Sequence, residues 1–256
     1  MKNLQIKPAT LVILLASMFC TAAQAQVSLT SGLVAYYPFT VNAHDVSGKR
    51  NDAAVIGYDW KFSHGLFLNT ITPPTNSFSG LDETYVIAPR SASLDFNQDF
   101  TLSVWVNIPK GLPVYYVHNI IGNGPDDSSA NFRIVSDVTV SPDADYLQFV
   151  CNHATGDIHA FVEPLRNIWW QAVAVRSGTT VSLFRDGLLL TNALMTATVT
   201  NLPTIWIGRY SCACPASDCP SSYSLSGGIG DVQMYNRALS TNEVFQLYRR
   251  EKGAFR

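Results

Sequence analysis

The chain has 256 residues, of which 47% are hydrophobic and 14% are charged, and its formal net charge at pH 7 is -2. This apolar fraction is enough for one substantial core, and an all-β sandwich often reaches this length as a single domain. The sequence contains no block of basic residues that would neutralise phosphates, so nucleic acid and anionic membrane surfaces are excluded as expected partners.

The first 25 residues have the pattern of a secretory signal peptide. Lys2 and Lys7 give a positive start, the apolar run 11–19 follows, and Ala23-Gln24-Ala25 fits the small-x-small cleavage rule. The run is shorter than the roughly 20 residues that cross a bilayer. Lipid attachment at Cys20 is the alternative, and the bulky residues before it disfavour that reading. We expect cleavage after residue 25, a secreted or periplasmic protein without membrane insertion, and one domain over residues 26–256.

Short runs of alternating apolar and β-branched residues recur along the remaining chain, separated by Gly, Pro, Asn and Asp, which is typical of an all-β protein. In one such run, Leu102, Val104 and Val106 share a face, whereas Trp105 lies on the opposite face and predicts a second, partly covered side of the sheet. The tryptophans in strand patterns, including Trp206, are expected to lie mostly in the core. The predicted strands are Leu33–Phe39, Tyr85–Ile87, Phe100–Ile108, Ile120–Gly122, Phe132–Ser136, Tyr146–Cys151, Ile158–Phe161, Trp170–Arg176, Val181–Arg185, Ile205–Gly208 and Ile229–Tyr235.

A hairpin turn and one helix are also predicted. Asp186-Gly187 precedes three leucines and favours a tight turn, because both residues adopt positive φ at little cost. The helix begins after Ser240, with Glu243 three residues later completing a capping box. Apolar residues from Val244 to Tyr248 recur at helical spacing. We expect this helix to cover an edge or rim of a sheet.

Four cysteines follow the predicted cleavage site, an even number that is typical of disulfides in an oxidising compartment. A bridge between Cys212 and Cys214 would close a strained ring, so we expect one of them to pair with Cys219 and the other with Cys151. The alternative is a zinc site made by the three clustered cysteines with Cys151 or His153. It is disfavoured because the paired Cys-x2-Cys spacing of common zinc sites is missing.

The sequence contains no arrangement that predicts catalysis. Its glutamates, Glu83, Glu163, Glu243 and Glu251, are not paired at strand spacing, and no Gly-x-Ser-x-Gly segment is present to supply a nucleophile. We therefore predict no catalytic residues and a protein that is not an enzyme.

Aromatic side chains in loops are the candidates for stacking on sugar rings. Tyr115 and Tyr116, which follow a proline, and Tyr210, which lies beside the cysteine-rich loop, are the first choices. Arg133 and Asn152 are candidates for polar contacts to the same ligand on the concave sheet.

Five segments occur in an order that resembles the bacterial laminin G-like domains of the concanavalin A-like lectin and glucanase superfamily. The resemblance covers residues 31–251 and implies an all-β fold, a two-sheet antiparallel β-sandwich (jelly roll) with one short C-terminal helix. The five segments are Leu33–Phe39, the turn Asp45–Asn51, Phe100–Val106, Trp170–Val175 leading to Phe184–Gly187, and Gly230–Leu239.

Domains of this family usually bind glycans or protein surfaces, and many hold a calcium ion. The resemblance places the candidate calcium ligands at Asp45, Asn51 and Asp231, residue types that supply the oxygens calcium prefers. The alternative is that Asp45 stabilises an Asx-turn and Asp231 only bonds to backbone. Many relatives carry glycines in this turn, where the present chain has Lys49-Arg50. The related glucanases carry paired catalytic carboxylates on one strand, a pattern that this chain lacks.

We therefore expect an exported, non-catalytic module for carbohydrate binding or adhesion, with calcium as a candidate stabilising ion. Its expected partner is a glycan or a surface protein. The alternatives are a protein-interaction domain at an envelope or matrix surface and a divergent polysaccharide-active enzyme on the same fold.

Overall fold

The fold is seen in a computed structural model, which describes residues 28–68, 84–110, 117–123, 132–141, 144–151, 158–162, 165–195, 204–209 and 224–255. Within these ranges the helix α1 is Thr241–Glu251 and a short 3-10 helix is Ala92–Leu94. The strands are β1 (Leu33–Tyr37), β2 (Ala54–Ile56), β3 (Trp60–Phe62), β4 (Leu66–Leu68), β5 (Tyr85–Pro89), β6 (Phe100–Asn107), β7 (Val117–Gly122), β8 (Phe132–Ser141), β9 (Ala144–Cys151), β10 (Ile158–Val162), β11 (Trp169–Ser177), β12 (Thr180–Arg185), β13 (Leu188–Leu194), β14 (Thr204–Ile207) and β15 (Gly227–Tyr235).

The described strands form two antiparallel sheets that pack face to face as a sandwich. Sheet A has the order β13-β12-β11-β6-β15-β4-β3, and β1 also pairs with β15. Sheet B has the order β10-β9-β8-β7-β14-β5-β2. The predicted all-β, two-sheet architecture with one C-terminal helix is confirmed.

The core lies between the two sheets and is made by alternate residues of each strand. In β6, Leu102 and Val104 are fully buried, and they share one cluster with Ile134 of β8. Phe100 of sheet A contacts Phe149 of sheet B, with 6.0 Å between the ring centroids. This alternation follows from the strand geometry, in which successive side chains point to opposite faces.

The outer face of sheet A is covered as well, as Trp105 predicted. This indole is 2% exposed although it points away from the main core. It stacks on Phe255, with ring centroids 4.6 Å apart, and on Tyr248 of α1, at 5.7 Å. A second apolar cluster lies beside it and joins Val244 and Leu247 of α1 to residues of sheet A.

The helix α1 begins as predicted and covers the outer face of sheet A as well as its edge. The Ser240 hydroxyl accepts a hydrogen bond from the backbone N–H of Glu243, and the Glu243 side chain accepts one from the backbone N–H of Ser240. The apolar side of the helix meets apolar residues of β11 and β15, and the helix also contacts β13 at the edge of sheet A, as predicted. In the described ranges, no helix combines the length and apolarity needed to cross a bilayer.

Three short strands lie where no strand was predicted. No strand is predicted between Phe39 and Tyr85, yet β3 and β4 form a hairpin there and β4 pairs with β15. β2 pairs with β5 at the edge of sheet B. Each of these strands has three residues, which is too short for an alternating pattern to be recognised.

Candidate functional site

The turn that follows β1 is organised around the carboxylate of Asp45. Its Oδ1 accepts hydrogen bonds from the backbone N–H groups of Tyr36 at 2.9 Å and Ser47 at 2.8 Å. Its Oδ2 accepts from the Ser47 hydroxyl and from the backbone N–H of Asn51, both at 2.9 Å. Burial opposes ionisation here, but the backbone donors outweigh it and lower the pKa of the carboxyl. Asp45 therefore ties the turn to β1 as an anion.

Asn51 connects this turn to the interior. It is 3% exposed, and its side-chain amide donates to the carbonyl of Val34 at 2.7 Å and to the hydroxyl of Ser93 at 2.8 Å. Its own carbonyl accepts from the Tyr37 hydroxyl at 2.6 Å. These bonds join the turn, β1 and the 3-10 helix.

Asp231 lies at a bulge in β15. The pairing of β15 with β6 shifts register between Gly230 and Gln233, and Asp231 has φ of 41°, in the left-handed region that aspartate tolerates better than most residues. Ile229 and Val232 both belong to the core cluster, so the extra residue between them turns Asp231 toward the outer face of sheet A. Bulges re-aim side chains in this way.

The hydroxyl of Tyr36 donates a hydrogen bond to Asp231 Oδ1 at 2.7 Å. Burial raises the pKa of Asp231, whereas this hydrogen bond and the charge of Arg250 act in the opposite direction. Burial, together with the Asp231 carboxylate, raises the pKa of Tyr36 as well, so the phenol keeps its proton. Tyr36 contacts both predicted acidic ligands, since its backbone N–H donates to Asp45.

A second carboxylate, Glu251 at the end of α1, reaches the same region and was missed by the sequence reasoning. Its Oε2 accepts from Trp105 Nε1 at 2.9 Å and from Gln171 Nε2 at 3.0 Å. Its Oε1 accepts from Gln233 Nε2, and Arg250 lies 3.6 Å from the same oxygen. Burial and, to a smaller extent, the charge of Asp231 raise the pKa of Glu251 to about 7, although the hydrogen-bond donors and Arg250 act in the opposite direction.

A signal for Glu251 exists in the sequence. It follows Val244, Leu247 and Tyr248 at helical spacing, so it is an acidic residue on the apolar stripe of α1. A carboxylate in such a position must find buried donors or remain protonated.

Asp231 and Glu251 line one cavity of about 490 Å³, together with Tyr36 and Arg250. Two carboxyls with raised pKa values in one cavity can in principle serve as an acid and a base. Here both oxygens of Glu251 accept N–H donors from the protein interior. The arrangement thus anchors α1 to sheet A.

An aromatic cluster lies on the outer face of sheet B. Trp206 of β14 and Tyr85 of β5 are half-buried, and their ring centroids are 5.3 Å apart. The guanidinium carbon of Arg209 lies 4.7 Å from the Tyr85 centroid and 6.0 Å from the Trp206 centroid. Because Ile205 and Ile207 fill the core, the intervening Trp206 faces outward, which corrects the expectation that it lies in the core.

Arg133 of β8 is aligned with Trp206 of β14 across sheet B, with Gly122 of β7 between them. Trp206 pairs with Gly122 of β7, and Gly122 pairs with Arg133 of β8. Two strand spacings, about 10 Å, therefore separate Arg133 from Trp206 along the sheet. The glycine between them adds no side chain to this part of the surface.

Most of the other predicted site residues lie outside the described residues. This holds for Tyr115, Tyr116, Asn152, Tyr210 and the cysteines Cys212, Cys214 and Cys219. Cys151 ends β9. The disulfide pairing and the loop aromatic contacts stay predictions.

In the part of the chain that the structure describes, no group of three or more His, Cys, Asp and Glu side chains is placed to hold a metal ion. Asp45, Asn51 and Asp231 are brought to one junction, but through hydrogen bonds to Tyr36 and to the turn. Calcium stays a prediction from the sequence.

Residues 79–245 match the family described as the concanavalin A-like lectin/glucanases superfamily. Domain 4 of AbnA, a GH43 extracellular arabinanase from Geobacillus stearothermophilus solved in complex with arabinotriose, is similar with a TM-score of 0.61 and 14% identity, over 85% of this chain and 98% of that one. The binding domain of botulinum neurotoxin DC in complex with SialylT gives a TM-score of 0.62 and 13% identity, over 86% of this chain and 52% of that one.

The receptor binding domain of the botulinum neurotoxin C/D mosaic serotype gives a TM-score of 0.60 and 13% identity, over 86% of this chain and 51% of that one. The chain therefore spans about half the length of these neurotoxin domains. Comparison with curated proteins found no match. Since the family match extends over more than half of the sequence, and the two-sheet architecture agrees with it, the chain belongs to the concanavalin A-like lectin/glucanases superfamily.

Proposed function

We propose that this chain is an exported, non-catalytic module that binds carbohydrate through the outer face of sheet B. The observation that carries the proposal is the cluster of Trp206, Tyr85 and Arg209 on that face. Aromatic rings stack on the apolar faces of sugars, and a neighbouring guanidinium donates hydrogen bonds to their hydroxyl groups. The candidate Tyr210 is the next residue in the sequence after Arg209.

Two of the similar structures support this choice of ligand class. One is an arabinanase domain solved with arabinotriose, and another is a neurotoxin binding domain in complex with SialylT. Sequence identities of 13–14% support a shared fold and not a shared ligand. The argument that this chain binds carbohydrate therefore depends on the chemistry of the aromatic cluster.

The non-catalytic part of the proposal is supported by how the cavity carboxylates are used. The Glu251 oxygens accept hydrogen bonds from Trp105, Gln171 and Gln233, and Asp231 accepts one from Tyr36. A glycoside hydrolase needs two carboxyl groups that face the scissile bond.

The test is retention of the purified protein on a panel of polysaccharides in affinity electrophoresis, with Trp206→Ala as the variant. We expect retention on at least one polysaccharide and about tenfold weaker binding by the variant, because a lost aromatic contact of about 1 kcal/mol or slightly more has that effect. The matched control is Trp60→Ala, which removes a 43% exposed tryptophan from sheet A. Near-ultraviolet circular dichroism checks that both variants fold.

Two results would contradict the proposal. If Trp60→Ala and Trp206→Ala weaken polysaccharide binding equally, the outer face of sheet B is not the binding face. If the protein releases reducing ends from any polysaccharide of the panel, it is the divergent polysaccharide-active enzyme and not a non-catalytic binding module.

A second candidate function, protein interaction, is favoured by the strand β13 at the edge of sheet A. Leu188, Leu189 and Leu194 are 65%, 45% and 77% exposed, and edge strands with apolar side chains pair readily with another chain. We expect Leu194→Lys to abolish any sugar-independent association in a pull-down against envelope or matrix proteins. Association that survives Leu194→Lys would exclude this edge.

A further inference from the structure

The junction of β1, the turn 45–51 and β15 does not have the chemistry that a calcium ion requires. Calcium is held by roughly six to eight oxygens whose lone pairs are available to the ion. The family resemblance predicts Asp45, Asn51 and Asp231 as its ligands. Asp45 is fully committed to other atoms of the chain, and Asn51 and Asp231 are committed in part.

Asp45 has no acceptor capacity left. A carboxylate offers about four lone-pair positions, and four donors occupy them: the N–H groups of Tyr36, Ser47 and Asn51, and the Ser47 hydroxyl. These bonds are 2.8–2.9 Å long, the length of good hydrogen bonds. An ion could bind here only by breaking bonds that also hold the turn.

The other two residues do not compensate. The Asn51 side-chain amide donates to the Val34 carbonyl and to the Ser93 hydroxyl. One oxygen of Asp231 accepts the Tyr36 hydroxyl. Asp231 is 8% exposed, and its remaining oxygen cannot supply a shell of six ligands.

A fixed positive charge is already present beside Asp231. Arg250 of α1 lines the same cavity. Its guanidinium lies 3.6 Å from Glu251 Oε1. The chain thus provides a cation of its own where the family would place a metal.

We propose that this chain joins β1, the turn and β15 without a metal ion. Tyr36 takes the connecting role, with its backbone N–H on Asp45 and its hydroxyl on Asp231, and Arg250 supplies the positive charge. The fold is then independent of calcium, unlike that of the calcium-holding relatives that the resemblance implies.

The test measures thermal unfolding of the purified protein in calcium and in chelator, for the wild type and for Tyr36→Phe. We expect the same midpoint for the wild type in both solutions, since a ligand that does not bind the native state adds no stability. Tyr36→Phe should lower the midpoint equally in both. Tyr248→Phe is the control, because it changes a tyrosine of α1 whose ring stacks on Trp105.

Calorimetric titration of the wild type with calcium gives a second measurement that needs no variant. A calcium-dependent rise of the midpoint that Asp231→Asn abolishes would overturn the proposal. A rise that persists in both Asp231→Asn and Asp45→Asn would overturn the calcium independence of the fold, because the ion would then bind the native state away from this junction.

Discussion

Glu251 makes the stability of this protein depend on pH in a direction opposite to that of most carboxylates. Its pKa rises from an ordinary 4.5 to about 7 in the folded chain. Between these values the folded state keeps a proton that the unfolded state has lost. Because the native state then binds more protons, the free energy of unfolding falls as pH rises from 4.5 to about 7 and stays constant above that for this group.

The magnitude follows from the size of the shift. One pKa unit corresponds to about 1.4 kcal/mol, so this group removes roughly 3 kcal/mol between pH 4.5 and 7. That is a large part of the roughly 5–15 kcal/mol that stabilises a domain. The physical cause is desolvation, since Glu251 is 6% exposed between sheet A and α1.

The matched variant is Glu251→Gln, which has the same shape and cannot ionise. Its carbonyl can accept from Trp105 and Gln171 as Glu251 Oε2 does, and its amide takes the place of the protonated oxygen of the neutral acid. We expect the variant to match the wild type near pH 5 and to exceed it by roughly 3 kcal/mol near pH 8. Urea unfolding at a series of pH values measures how the free energy of unfolding changes with pH in the wild type and in the variant.

Subtracting the pH dependence of Glu251→Gln from that of the wild type removes the contribution of every other titrating group. Identical pH dependence in Glu251→Gln and the wild type would refute the reasoning, because it would show that Glu251 titrates normally. A variant that loses stability at every pH would show that the buried donors need the full charge of the carboxylate.

Two further predictions concern the backbone of β15 and the start of α1. Gly227→Ala should prevent folding or cost more than about 3 kcal/mol, because a Cβ there would lie 2.2 Å from the Asn107 carbonyl oxygen. Gly253→Ala is its control, since nothing lies within 4 Å of that Cβ, and equal expression and melting of both variants would contradict the prediction. Ser240→Ala should lose about 1 kcal/mol with the capping bond to Glu243. Urea unfolding measures it, and Ser240→Asp, which can still cap, should recover most of the loss.

The sequence pattern predicted an all-β fold because its evidence is local and repeated, and the family resemblance implied the two-sheet sandwich. Alternation in Leu102, Val104 and Val106 places one face of β6 in the core whatever the neighbouring strands are. The capping box at Ser240 likewise depends on residues only three apart. The short strand β3 was not predicted, because it forms through pairing with β4 and has no alternating pattern of its own.

The candidate site was predicted in part. Asp45, Asn51 and Asp231 were expected near one another, and all three are linked to β1. The bulge at Asp231 left a trace in the sequence, because Ile229 and Val232 are separated by two residues rather than one. Periodicity can show such a break, but it cannot show which side chain the break exposes.

Composition and residue spacing were sufficient to predict the all-β fold class, the terminal helix and the covered outer face of sheet A. In each case the spacing of apolar residues in a strand or helix shows which face must be buried. The partners of the polar residues, in contrast, depend on how distant parts of the chain come together. Tyr36 meets Asp231 across 195 positions of sequence, and Glu251 meets Trp105 across 146. Such pairs depend on the relative placement of whole strands and of α1, because a hydrogen bond requires two atoms within about 3 Å and no periodic pattern specifies position that closely.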